Sequence, residues 1–211
     1  DMKSLGVKGI NYTGGGEPTV HSKFFEIINY TFDLGFDIGL ITNGSMFHRI
    51  PMEIILRKFT WIRVSLDAYD TETHRRTHGR TARFEPTIKN LKMLSKIKKD
   101  QNLNTTLGAG FITNQHADMD RNLHKFVEIC KDAGLDYAQL RPSFGFLYDY
   151  QSIDPKELKL LFEKARSYET EDFSVVIDEG KYDKILSGQG TCRSYDYCHA
   201  QSFKATTITA T

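Results

Sequence analysis

The sequence predicts an α/β chain whose parallel strands curl into a partial barrel, and three observations lead there. First, strand-like and helix-like apolar patterns alternate along most of the 211 residues, as in a parallel sheet joined by right-handed crossovers. Second, the strands are two-faced. In 61–67, Ile62, Val64 and Leu66 oppose Arg63, Ser65 and Asp67, and in 137–141 Ala138 and Leu140 oppose Gln139 and Arg141. An open doubly wound sheet carries helices on both faces, so its central strands should be apolar throughout. One polar face suits helices outside and a wet lumen. Third, every predicted strand ends in polar residues: Gly14 to Glu17, Thr42-Asn43-Gly44, Ser65-Leu66-Asp67, Thr113-Asn114 and Arg141. Active sites of such folds gather at those carboxyl ends.

The elements follow in order. Residues 7–13 form a strand that runs into the glycines, and 23–34 read as a helix with Phe24, Phe25, Ile28 and Phe32 on one face and Gly35 as its stop. Residues 36–42 are a strand ended by Asn43-Gly44, Pro51 opens a helix to 58, and 60–66 are the next strand. A connection with a short helix near 71–77 leads to 86–98, where Ile88, Leu91, Leu94 and Ile97 recur at helical spacing. Residues 105–113 are a strand, 119–133 a helix stopped by Gly134, and 136–141 a strand. Asp154-Pro155-Lys156-Glu157 is a capping-box start, and its helix is expected to bury Leu158, Leu161, Phe162 and Ala165.

Composition bounds the function. With 39% hydrophobic residues the chain can build one substantial domain core. A net charge of +1 and a pI near 7.9 give no basic field that argues for nucleic acid. No apolar run approaches membrane-spanning length. No signal peptide is expected, although Asp1 is not a natural start and residues are expected to precede it. Three unevenly placed cysteines do not make a disulfide framework, which favours a reducing, cytoplasmic location.

The octet Tyr12-Thr13-Gly14-Gly15-Gly16-Glu17-Pro18-Thr19 carries the most chemistry. Three glycines at a strand end let a ligand approach the backbone closely. A fixed carboxylate directly after them, Glu17, repels phosphate and suits a cation, such as the ammonium of an amino-acid-like cofactor. Pro18 holds Glu17 extended. No P-loop Lys-Ser/Thr pair or dinucleotide fingerprint follows. The bland alternative is an ordinary glycine-rich turn.

That octet resembles the GGEP motif of the radical S-adenosylmethionine (radical SAM) enzymes, which ends the second strand of their barrel and holds the methionyl amino group of SAM. Thr42-Asn43-Gly44 is similar to the T-N-G that often ends the third family strand, and Ser65-Leu66-Asp67 to the S-L-D that ends the fourth. Alone, the first reads as a turn and Asp67 as a cap. Asn114 and Arg141 are weaker carry-overs, Arg141 meeting either the cofactor carboxylate or Asp67. The resemblance covers residues 7–142. It implies a partial (β/α)6 TIM-like barrel entered at its second strand, with Gly14, Gly15, Gly16 and Glu17 on the methionyl group and Thr42, Asn43, Ser65, Asp67, Asn114 and Arg141 lining the rest.

The resemblance also implies a [4Fe-4S] cluster on three cysteines, usually C-x-x-x-C-x-x-C. Its open iron is chelated by SAM, and an electron cleaves SAM to a 5′-deoxyadenosyl radical that abstracts hydrogen. No such triplet occurs in this sequence, so its ligands are expected upstream of Asp1, and these 211 residues alone are expected to be inactive. Flavodoxin or ferredoxin would be the electron donor. Cys130 falls on the apolar stripe Leu123, Phe126, Val127 and reads as core. Cys192 and Cys198 lie in a glycine-containing stretch before an alternating segment, 203–211, and resemble the opening of the SPASM or twitch auxiliary-cluster extension. The alternatives for them are free thiols or a zinc site with His199. The expected division is a core over 1–170 and the start of the extension over 171–211. His74 and His78 have the i, i+4 spacing of a metal pair, but Arg75, Arg76 and Arg80 around them oppose a divalent ion and favour a solvated face.

Relatives with such extensions often modify peptides, so a peptide or protein substrate follows by analogy. Two rivals stand beside the enzyme reading. A non-catalytic SAM-binding scaffold would share every motif but lack the triplet. A conventional aldolase-type barrel would need a strand-end lysine or metal set, and Lys8 lies at the wrong end of its strand.

Overall fold

The computed structural model describes residues 2–113, 117–143 and 154–186. It divides into two compact units, Asp1–Ile177 and Asp178–Thr211. The first holds six strands: β1 (Gly9–Tyr12), β2 (Asp37–Thr42), β3 (Trp61–Ser65), β4 (Thr106–Thr113), β5 (Tyr137–Pro142) and β6 (Ser174–Ile177). Between them run α1 (Phe24–Asp33), α2 (Met52–Lys58), α3 (Thr71–His78), α4 (Phe84–Asp100), α5 (Ala117–Asp120), α6 (Leu123–Asp132) and α7 (Pro155–Arg166). The described part of the second unit is α8 (Glu179–Leu186). Among the described residues no helix is long and apolar enough to cross a membrane.

The strands form one sheet in the order β1-β2-β3-β4-β5-β6, and every neighbouring pair is parallel. Because the order never reverses, right-handed crossovers step the same way each time and put the helices on one face. A doubly wound sheet needs a reversal. This is the partial, TIM-like barrel of parallel strands that the two-faced pattern predicts. Register separates the faces. Ile38, Leu40, Ile62, Val64, Leu107, Ala109, Phe111, Ala138 and Leu140 are all 0–1% exposed under the helices. The opposite face aligns Asn11 with Gly39 and Trp61, Arg63 with Gly108 and Tyr137, and Ser65 with Gly110 and Gln139.

Helix signals explain the outer layer. Asp70 and Thr73 form a reciprocal capping box on α3, and Gly35 and Gly134 take positive φ where α1 and α6 stop. Asp154 caps α7 through the Lys156 amide at 2.7 Å, whereas Glu157 pairs with Arg121 at 2.7 Å. Only half of the expected capping box is therefore made. The helix expected over 119–133 is two, α5 and α6. On α1 the buried stripe is Phe24, Ile28 and Thr31, while Phe32 is exposed beneath the Lys58 ammonium at 4.2 Å. Phe32 was expected inside, but the inward stripe passes through position 31 at this helix's pitch. β6 comes from the stretch assigned by sequence to the extension, and at four residues it is too short to show a period.

Candidate functional site

The site is built at the carboxyl ends of the strands. Beyond β1, none of Gly14, Gly15 and Gly16 has positive φ, and a Cβ on any of them would meet nothing within 4 Å. The fold itself does not require glycine there. What bare backbone leaves is an open approach for a ligand.

Glu17 follows in extended conformation, φ −94° and ψ 113°, as a residue preceding proline should be. Its carboxylate is held from two sides. Oε1 accepts the Thr19 amide at 3.1 Å and the Thr19 hydroxyl at 2.5 Å, capping the short 3-10 turn Pro18–Val20. It also accepts the Thr42 hydroxyl at 2.6 Å, and Oε2 accepts the Asn43 amide at 2.7 Å. Bonds to an ionised acceptor are about twice as strong as neutral ones, so the carboxylate is oriented before any ligand arrives. Among the described residues no cation pairs with it, which leaves its charge for a cationic group.

Thr42 and Asn43 thus hold Glu17. Thr42 is buried, and its hydroxyl also accepts the Gly44 amide at 3.1 Å. The Asn43 side chain accepts the Ser45 amide at 2.9 Å, fixing the turn whose backbone N–H reaches Glu17.

Ser65 faces the lumen beside Gly110. Asp67 does not open onto that space. It is buried, takes φ 48°, accepts the Ile112 amide at 2.7 Å, and faces His78 Nε2 at 3.4 Å. Its visible work is to fasten the end of β3 to β4. Arg141 lies over Gly110 and makes no ion pair with Asp67. Asn114, Cys192 and Cys198 lie outside the described residues. Cys130 is buried in the core, where desolvation pushes its thiol well up. Among the described residues no three metal-ligating side chains converge.

Two features escaped the sequence reading. His74 is buried rather than solvated: it packs its ring on His78 at 4.8 Å and on Phe84 at 5.8 Å. Burial first, then the neighbouring His78, lowers its pKa to about 4. Both histidines line a cavity of about 370 Å³ with Asn43, Ser45, His48 and Arg83. The other feature is Arg63, which donates to Gln139 at 2.5 Å beside the Trp61 ring. The polar stripe of β3 announced it, but no motif gave it a role.

Comparison with known proteins bears on this site. The family model described as the radical SAM superfamily matches residues 1–126. An S-adenosylmethionine-dependent nucleotide dehydratase of Selenomonas ruminantium is 38% identical over 77 residues, covering 35% of this chain and 27% of that protein. The S-adenosyl-L-methionine-dependent tRNA 4-demethylwyosine synthase of Methanocaldococcus jannaschii is 26% identical over 157 residues, covering 74% and 46%. The chain thus spans less than half the length of either relative. The solved structure of Streptococcus suis SuiB bound to S-adenosylmethionine shares the fold with a TM-score of 0.60 at 16% identity, over 78% of this chain and 36% of that one.

Proposed function

Because the chain belongs to the radical SAM superfamily, we propose that its strand-end rim binds S-adenosylmethionine as part of a radical SAM enzyme. The observation that carries this reading is the pre-oriented, cation-free Glu17 carboxylate beside three glycines that the fold does not require. Glu17 and the glycine carbonyls would take the methionyl ammonium, with Thr42 and Asn43 holding Glu17 in place. Ser65, on the lumen face, would meet the carboxylate or ribose. Bound SAM would supply the 5′-deoxyadenosyl group that abstracts hydrogen from the substrate. The described residues offer no donor set for an iron-sulfur cluster, so their part is to bind and orient. In the same reading the residues after β6, 178–211, open an auxiliary-cluster extension with Cys192 and Cys198 as ligands, and a peptide or protein is the substrate by analogy.

Equilibrium dialysis of the full chain against SAM, for the wild type and Gly15→Ala, tests the rim. The added methyl meets nothing in the fold, so the melting temperature should hold or rise slightly. SAM affinity should fall about tenfold or more, as expected when a buried polar contact is displaced. Equal SAM affinity in both proteins would sink the assignment of the glycines to the cofactor.

A further inference from the structure

The lumen face brings the side chains of Arg63 and Arg141 over one glycine of β4, and among the described residues neither makes an ion pair. A Cβ on Gly110 would stand 3.5 Å from Nη2 of Arg141 and 3.7 Å from Cδ of Arg63, so both side chains lie over the same bare patch of β4. The Nε of each is buried without a hydrogen-bond partner. Arg63 gives Nη1 to the neutral Gln139, and the lumen positions paired with it, Ile41 and Gly108, carry no carboxylate. Asp67 offsets the charge only partly, since its oxygens already serve the Ile112 amide and His78. Burial and the facing Arg141 both pull the Arg63 pKa down, the signature of a cation in want of a counter-ion.

We propose that Arg63 and Arg141 form an oxyanion subsite in the lumen that seats a carboxylate or phosphate group of the substrate. The inference rests on the SAM reading only in assigning the anion to the substrate. Each guanidinium is a planar donor fork, which matches the geometry of either oxyanion. Arg63 sits two residues, about 7 Å of strand, below Ser65. It is thus deeper than the rim where Glu17 stands, and it lines a cavity of about 330 Å³ with Trp61, Asp136, Tyr137 and Gln139.

Trp61 is the chain's single tryptophan, and its ring lies 6.0 Å from the Arg63 guanidinium carbon, so its emission reports the subsite directly. The full chain is titrated with inorganic phosphate and, separately, acetate at constant ionic strength, alongside dialysis against SAM. The wild type should show a saturable change that weakens about tenfold in Arg63→Gln and in Arg141→Gln. SAM affinity in Arg63→Gln should stay within about twofold of wild type, less than one charged hydrogen bond. Stronger response to phosphate identifies a phosphorylated substrate, and stronger response to acetate a carboxylate one. Arg63→Lys keeps the charge without the fork and should bind at intermediate strength, which serves if the glutamine variant does not fold. Unchanged anion affinity in the variants would overturn the subsite, as would an equal response to chloride. Loss of SAM affinity in Arg63→Gln, with SAM displacing phosphate, would reassign the anion to the cofactor and overturn the substrate claim. Failure of the wild type to bind SAM at all would instead overturn the proposed function while leaving the anion result standing.

Discussion

Replacing His74 by phenylalanine should remove much of the protein's sensitivity to mild acid. His74 is 5% exposed, wedged between the rings of His78 and Phe84, and its Nδ1 has no hydrogen-bond partner. Its pKa stands at about 4 against an ordinary 6.5, because burial and His78 disfavour the imidazolium more than Asp67 favours it. With the folded value depressed, the unfolded chain binds more protons between those two values. Stability is therefore full above about pH 7 and is lost as pH falls through the window, levelling off below about pH 4. The limiting loss is about 3 kcal/mol, of which about 2 kcal/mol has gone by pH 5. Urea denaturation at pH 7.5 and pH 5.0 reads this directly. The wild type should lose about 2 kcal/mol more than His74→Phe across that interval, the phenyl ring keeping the contact with Phe84. The same loss in both proteins, within about 0.5 kcal/mol, would show that His74 is protonated in the folded state and would refute the argument.

Two further outcomes follow from packing. Gly108→Ala should lower the urea midpoint by the equivalent of about 1–3 kcal/mol at unchanged slope, because the new methyl would overlap the Tyr137 ring; a midpoint equal to wild type would mean the ring swings aside freely. Iodoacetamide labelling read by peptide mass mapping should leave Cys130 unmodified in the native chain and modify it in denaturant, since burial both hides the thiol and raises its pKa.

What the sequence disclosed and what it hid divide along physical lines. The sheet was legible because alternation on β3 and β5 is strict and long enough to set two faces, and because glycine, proline and aspartate mark the helix ends through backbone geometry. The extended backbone of Glu17 was legible too, because Pro18 follows it. The partners of Glu17 were not. Thr42 and Asn43 read as lining residues, and only the register of β1 beside β2 shows that their hydroxyl and amide aim at the carboxylate. His74 was misread because its chain neighbours are arginines. Burial of one face of a short polar helix depends on what packs there, here Phe84 from α4, and sequence neighbours do not report that.

The sequential strand order is what lets both halves of the site exist. When neighbouring strands are also consecutive in sequence, the loop after β1 lies beside the loop after β2, and a carboxylate from one can be clasped by donors from the other. A reversal between them would have separated Glu17 from Thr42. The lumen needs a different device, because Arg63 and Arg141 come from β3 and β5, with β4 between. They meet because β4 offers glycine where side chains would otherwise stand: the Tyr137 ring lies across Gly108, and both arginines lie across Gly110. Alanine at 110 would fit at 3.5 Å from Arg141, an ordinary contact, so packing alone tolerates a methyl there. In the proposed subsite, the bare position would leave room beside Arg63 and Arg141 for the ligand anion.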